Sequence, residues 1–457
     1  MSDSGVASVG EVLDGQEMLT ALGVLDPALE SSGADVPESG LDEFAPGAAQ
    51  SPVVSGVVAV PPEFVCGTAI LLGMVEQVML AVPSKDFYPS LKSILVDVTD
   101  TLLTLTGSNS ISTVVSSSLA VRVTRPGRVL VPGAKFAAVV RLCSGPDVRV
   151  AVTDSAVRVA SGGRAWTLRA SSTQEYPPLP DLGDLSWFDV SRASFDRAVS
   201  GVRYAAGSDP QQDQFMQVEL SVGSAVASDG LRFAQVTVEL PPELFVQMAT
   251  SGVDLVSRML ANNDADQFRI ADGSYHTVVE IGSPEAPDRA IVAHLMRPLP
   301  PDARNALAVP RAANRDRCVV GASELLAALS AARPTLDSET GAVLLRVSPT
   351  ELIVESRNRY DDSSTETIEC VFDTPGSDRA PKPRVLTLVR DHLAKAVRAV
   401  QRGSLAVADS DEEPSGAEVV LLLGEDRSRA RPAAVLIQDV TGTTQAVLTQ
   451  VRSEWLS

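Results

Sequence analysis

His276, His294 and His392 are the only histidines of this chain, and with Cys66, Cys143, Cys318 and Cys370 they are its best candidates for metal or nucleophilic chemistry. Their spacing supplies neither. There is no HxxxH pair, no CxxC and no histidine beside a cysteine or an acid cluster, which disfavours a zinc site, a redox dithiol and a disulfide framework alike. The cysteines read as small buried apolar residues, the histidines as surface residues of strands or helices. A Walker A sequence and a GxSxG elbow are missing too. Ser161-Gly162-Gly163 and Gly207 read as turns. Asp361-Asp362 after Tyr360, and the acid run at 409–413, have the right atoms for a cation, but exposed acidic loops ordinarily face water. No catalytic residue, metal or cofactor is therefore expected, and binding is the function left to explain.

Charge bounds what is bound. Lys and Arg number 38 against 58 Asp and Glu, a formal net charge of −20, so any surface facing nucleic acid must be a local basic patch. The length of 457 residues allows roughly three domains, at about 150 residues each, and 44% apolar composition fills their cores. No apolar run approaches the roughly 18 residues of a membrane span, and the N-terminus has neither the basic nor the apolar region of a secretion signal. The expectation is a cytoplasmic protein without membrane contact. Residues 1–52 carry ten acids and no Lys or Arg, which predicts a disordered acidic tail; 16–24 (QEMLTALGV) and 41–44 (LDEF) are its only docking-like pieces. Residues 408–416 (ADSDEEPSG) predict an exposed loop inserted in a hairpin.

The elements repeat. Residues 94–108, 216–230 and 343–357 each alternate apolar and polar residues on both sides of a short turn, as half-buried antiparallel hairpins do, and they start 122 and 127 residues apart. A helical pattern precedes each hairpin, at 66–80, 191–206 and 322–332, with Ser191 and Ser323 as N-cap or first-turn residues, and another follows at 133–142, 242–260 and 389–400. Short strands fill the rest, at 147–159, 164–170, 267–270, 277–281, 368–372 and 419–423. Proline-rich connectors at 177–185 and 298–310 separate the units. This is an α+β chain of three similar domains, 53–184, 185–305 and 306–457, behind the tail at 1–52.

With these residues in view, the stretch from 58 to 452 resembles the bacterial DNA polymerase sliding clamp family, the β subunit of the replicative polymerase. Tyr88-Pro89-Ser90-Leu91-Lys92-Ser93-Ile94 with Leu103-Thr104-Leu105-Thr106-Gly107 is similar to the family's Pro-x-Leu-Pro-Ile-Leu…Leu-x-Leu-Thr-Gly. Val131-Pro132-Gly133-Ala134-Lys135-Phe136 is similar to its Val-Pro-Ala-Arg-Lys-Phe helix start. Ala227-Ser228-Asp229-Gly230-Leu231-Arg232-Phe233 resembles Ala-Thr-Asp-Gly-His-Arg-Leu, and 435–452 resembles the closing hairpin. The resemblance implies a head-to-tail homodimer whose six lobes form a ring, helices lining the hole and antiparallel sheets outside. It implies a non-catalytic processivity factor that encircles duplex DNA without sequence preference and tethers the replicative polymerase, the clamp loader and other clamp-binding proteins.

Mobile phosphate contacts are then expected from Lys and Arg on the inner helices. Lys395, Arg398 and Arg402 share a helix face, with Arg390 about a turn earlier. Arg192, Arg197 and Arg203 lie on the second unit's first helix, and Lys135, Arg141, Arg258 and Arg333 on other helices. The resemblance also implies an apolar cleft for partner peptides, walled by Met216, Ser228, Gly230, Leu231, Arg232, Phe233, Val253, Val447, Leu448, Thr449, Gln450 and Val451. Leu231 stands where the family has His and Gln450 where it has Pro. Residues 453–457 (SEWLS) extend past the usual end, so that Trp455 and Leu456 are candidates to fold back over the cleft. The competing readings are a clamp paralogue or ring-shaped interaction protein not serving the main replicase, and an enzyme on nucleotides or DNA, for which no residue is nominated.

Overall fold

The computed structural model describes residues 61–451, apart from 86–87, 154, 295–296, 301–305, 308–315, 378–380, 408–416 and 425–433. The expected acidic tail, the loop at 408–416 and the extension bearing Trp455 and Leu456 lie outside the described residues. The chain divides into two compact units, one holding the described residues of Val190–Val253 and Leu295–Ser457, the other those of Pro27–Asp189 and Asp254–His294. The division runs through the middle repeat, because that repeat shares one sheet with each neighbour.

The second unit contains a five-stranded sheet ordered Val121–Arg125, Glu63–Gly67, Asp147–Val152, Ala156–Ser161, Arg164–Arg169. It also holds most of an eight-stranded sheet ordered Trp187–Ser191, Gln267–Asp272, His276–Ile281, Asp288–Ala293, Ser112–Ser118, Leu103–Ser108, Ser93–Val98, Gly127–Pro132. The first unit holds a twelve-stranded sheet: Val246–Ala249, Gln217–Ser221, Ser224–Ser228, Arg232–Thr237, Thr444–Leu448, Val435–Gln438, Glu418–Leu423, Asp316–Gly321, Ser363–Asp373, Glu351–Arg357, Ala342–Val347, Arg384–Val389. All the named pairings are antiparallel, and the three expected hairpins are present, with Val96 opposite Leu105, Leu220 opposite Ala225, and Leu345 opposite Val354.

One junction recurs. The strand after the first hairpin pairs with a strand of the next repeat, Thr113 opposite Ile291, and the strand after the second hairpin does the same, Phe233 opposite Val447. The turn before that strand recurs as well: Ser110, Gly230 and Asp361 all have positive φ, at 71°, 86° and 69°.

Six α-helices lie among the described residues: α1 Thr68–Met79, α2 Gly133–Arg141, α3 Arg192–Val202, α4 Thr250–Ala261, α5 Ala322–Ala331 and α6 Arg390–Val407. Ser191 caps α3, its hydroxyl accepting from the Ser194 amide at 3.1 Å. Gly321 occupies the cap of α5, and Ser323 lies in its first turn. Two expectations need correction. Residues 242–260 do not form one helix: Val246–Ala249 is a strand paired with Gln217–Leu220, and α4 starts only at Thr250. The prolines at 241 and 242 and the alternating burial of the strand explain the break. Residues 147–159 are likewise two strands, split by a turn in which the Thr153 amide donates to Ala156 at 2.8 Å.

Each helix buries an apolar stripe on its sheet. In the third repeat Leu325 and Leu329 of α5 and Leu393, Val397 and Val400 of α6 pack with Val343, Leu345, Leu352, Val354, Leu421 and Ile437. At about 25 cal/mol per Å² of apolar surface removed from water, burial of this kind is the main stabilising term.

Candidate functional site

The Asp-Gly turn is fixed by its own side chains. Asp229 Oδ1 accepts from the amides of Leu231 and Arg232, both at 2.9 Å, and Ser228 Oγ donates to the Arg232 carbonyl at 2.8 Å while accepting from Gly230 at 3.1 Å. Gly230 adopts φ 86°, which a residue with a Cβ rarely takes. The strand leaving this turn presents alternate residues to opposite sides of the sheet, so Phe233 with its partner Val447 faces one way and Arg232 with its partner Leu448 the other.

On the first face, Phe233 and Val447 are buried with Val226 and Leu436, and Leu299, Ala306 and Leu307 of the connector pack with them. Phe215, Leu231, Leu422 and Ala434 flank this cluster and stay partly exposed. The connector, expected only as a spacer, thus contributes to the apolar cluster. On the second face the Arg232 guanidinium lies 5.9 Å from the Tyr204 ring and 2.8 Å from Asp229, with only 9% of its side chain exposed. Burial pushes the Tyr204 phenol above its usual range. It pushes His392 down to about 4, helped by the positive charge of Arg232. Both are neutral near pH 7, and the turn's charge resides in the Arg232–Asp229 pair.

The expected cleft set is therefore divided. Leu448 belongs to the core of the third repeat, and Val253 is buried in α4 outside the Phe233 cluster. Met216, Thr449, Gln450 and Val451 are half-buried. Thr449 donates through both its amide and its hydroxyl to the Leu231 carbonyl, at 3.3 and 3.0 Å, and the Val451 amide donates to Thr387 at 2.9 Å. The segment at 449–451 is stitched to the turn on one side and to the last strand on the other. Sequence reasoning missed Tyr204, Phe215, Leu299 and Leu307, and set His392 on the surface where it is half-buried; of the missed residues only Phe215, beside Met216, carried a local signal.

The basic residues separate by environment. In the first unit α3 packs against α6. Their closest approach to the sheet uses glycines: Gly201 sits over Val236 and Gly403 over Thr444, two residues paired across the junction. A cavity of about 310 Å³ opens beside them, lined by Arg197, Arg402, Asp196, Ser200 and Thr444 among others. Lys395, Arg398 and Arg402 are exposed along α6. Arg390 is the exception: it is buried, donating to the Leu329 carbonyl at 2.8 Å and pairing with Asp391, and it braces α6 against α5 where a phosphate contact was expected. Arg192 pairs with Asp196 at 3.6 Å, while Arg203 is half-buried in a following 3₁₀ turn and Arg333 is exposed after α5. In the second unit α1 packs on α2, Lys135 is exposed, Arg141 pairs with Glu76 at 3.4 Å, and Arg258 Nε donates to the Asp254 carbonyl at 3.2 Å.

No group of three His, Cys, Asp or Glu is placed to hold a metal among the described residues, and no described helix is long and apolar enough to cross a membrane. Recurring hairpin-and-helix units that share sheets, with basic helix surfaces and an apolar turn cluster, make up this α+β fold. Residues 62–180 match the family model for the DNA polymerase III beta subunit, N-terminal domain. The chain is 25% identical over 313 residues to the beta sliding clamp of Haemophilus influenzae, covering 65% of this chain and 81% of that one. It is 26% identical over 303 residues to that of Synechococcus elongatus, covering 63% and 78%. Among solved structures, a putative DNA polymerase III beta subunit from Eubacterium rectale aligns with TM-score 0.72 at 15% identity, over 86% of this chain and all (100%) of that one. The Bartonella birtlesii sliding clamp bound to griselimycin gives TM-score 0.72 at 16% identity over the same shares. The chain is thus similar over most of its length to bacterial DNA polymerase III beta subunits, the sliding clamps, and shares their fold.

Proposed function

We propose that the chain is a non-catalytic processivity factor: two copies close around duplex DNA, and the Phe233 turn cluster receives the peptides of the polymerase and other clamp-binding proteins. The observation that carries this reading is the recurring sheet junction. Two such junctions are satisfied within the chain, and a third pair of edges is left over among the described residues. Ser363–Glu369 is bonded on one side only, by Glu351–Arg357, and Arg164–Arg169 is the outer strand of the five-stranded sheet. Unpaired edges are templates for strand addition.

Carrying the internal register over sets Ser364 of one copy opposite Thr167 of the other, because Thr113, Phe233 and Ser364 each face the buried serine of their hairpin, at 108, 228 and 356. Arg169 then falls opposite Asp362, an opposite-charge pair that favours this pairing. The contact is heterologous, and two such contacts between two copies close a ring. Such a ring holds DNA without a tight grip, and exposed Lys395, Arg398, Arg402 and Lys135 serve as phosphate contacts without sequence information.

Loading onto nicked circular DNA tests the proposal. The protein, loaded with polymerase and clamp loader, stays with the circle and extends product length at least tenfold, and cutting the circle releases it. Retention that is indifferent to linearisation would refute encirclement.

A further inference from the structure

We infer that the acidic segment at 1–52 binds the exposed face of the chain's own five-stranded sheet, making an internal electrostatic cover. The inner face of that sheet is apolar and buried, with Phe64, Cys66, Val148, Val150, Val157 and Val159. The opposite face carries Arg122, Arg125, Arg149 and Arg158, all exposed or half-exposed, against Glu63 and Asp147. Register puts them together: Val65 stands between Arg122 and Arg149, Glu63 opposite Arg125, and Ala151 opposite Arg158. Glu63 is shared by Arg149 and Arg125, the hydrogen bond from Arg149 above all holding its carboxyl below the usual range, and Asp147 takes Arg122 at 3.0 Å. Arg158 is exposed and makes no ion pair among the described residues. The face is thus under-neutralised in a chain whose net charge is −20.

The occupant is argued from charge and attachment. Residues 1–52 hold ten acids and no base, half of the chain's net negative charge, and they join the fold at the sheet's own strand Glu63–Gly67. Twenty residues separate Glu43, the last of those acids, from Glu63, enough for an end-to-end reach of about 25 Å without full extension. Five strands at about 4.8 Å spacing span about 19 Å, so the tether covers the face and keeps the acids at millimolar effective concentration.

The test uses the full-length chain without DNA, loader or polymerase, so its outcome is independent of encirclement. A synthetic peptide of residues 1–52 is titrated into the native protein and into a variant whose ten tail carboxylates are replaced by amides. The peptide is expected to bind the neutral-tail variant at least tenfold more tightly than the native chain, and to weaken steeply between 50 and 300 mM salt, beyond roughly one Debye length of screening. Arg158→Glu on that background, and Arg122→Glu/Arg149→Glu/Arg158→Glu where circular dichroism shows folding, are each expected to lower affinity at least tenfold. Equal binding to both tails, no binding to the neutral-tail variant, or indifference to Arg158→Glu overturns the inference. So does a 20-base-pair duplex that occupies this face as well in the native chain as in the neutral-tail variant.

Discussion

At the scale of single residues, Gly230 and His392 are the most exposed to test. Gly230 has φ 86°, and a Cβ there would lie 3.3 Å from the Phe215 ring. Gly230→Ala is expected to cost about 1–2 kcal/mol through backbone strain and displacement of Phe215, read as a lower denaturant midpoint with unchanged slope. His392 has a folded value of about 4, below its unfolded 6.5, so the unfolded chain binds more protons in that window. Its contribution is fully favourable above pH 6.5 and is lost as pH falls towards 4. His392→Gln should remove on the order of 1–3 kcal/mol of that acid sensitivity in stability measured from pH 7 to 4. An identical pH profile in the variant would remove this account of the site.

At the scale of elements, helix-to-sheet contact at the junction depends on absent side chains. A Cβ on Gly403 would lie 2.1 Å from Thr444 Oγ1, a hydroxyl that has no hydrogen-bond partner among the described residues. Gly403→Ala should therefore destabilise by about 1–3 kcal/mol, and adding Thr444→Ala should recover most of the loss, a non-additivity that a double-mutant cycle measures. The exposed stripe of α6 makes a separate prediction. Replacing Lys395, Arg398 and Arg402 by Ala should lower the salt dependence of DNA binding by up to about 0.9 logarithmic unit for each phosphate no longer neutralised, with stability little changed.

At the scale of the whole molecule, the leftover edges predict assembly. Two copies of 48.0 kDa make about 96 kDa, the mass expected from light scattering at micromolar concentration. Arg169→Glu, which sets like charges against Asp362, should shift the equilibrium towards monomer at least tenfold, and the double change with Asp362→Arg should restore it. A charge reversal without effect on mass would break the proposed register while leaving the internal junctions intact.

The sequence by itself determined the repeat: period-two hairpins at 94–108, 216–230 and 343–357, and helices such as Ala322–Ala331, were legible because burial of one face writes its period into the chain. It did not determine which expected site residues meet. Phe233 and Arg232 are adjacent in sequence yet point to opposite faces, Arg390 shares a helix with exposed Lys395 yet is buried, and the connector's Leu299 and Leu307 join a cluster centred far away along the chain. Strand register and helix rotation decided these, since a shift of one residue sends a side chain from core to solvent, and only long-range packing fixes that shift.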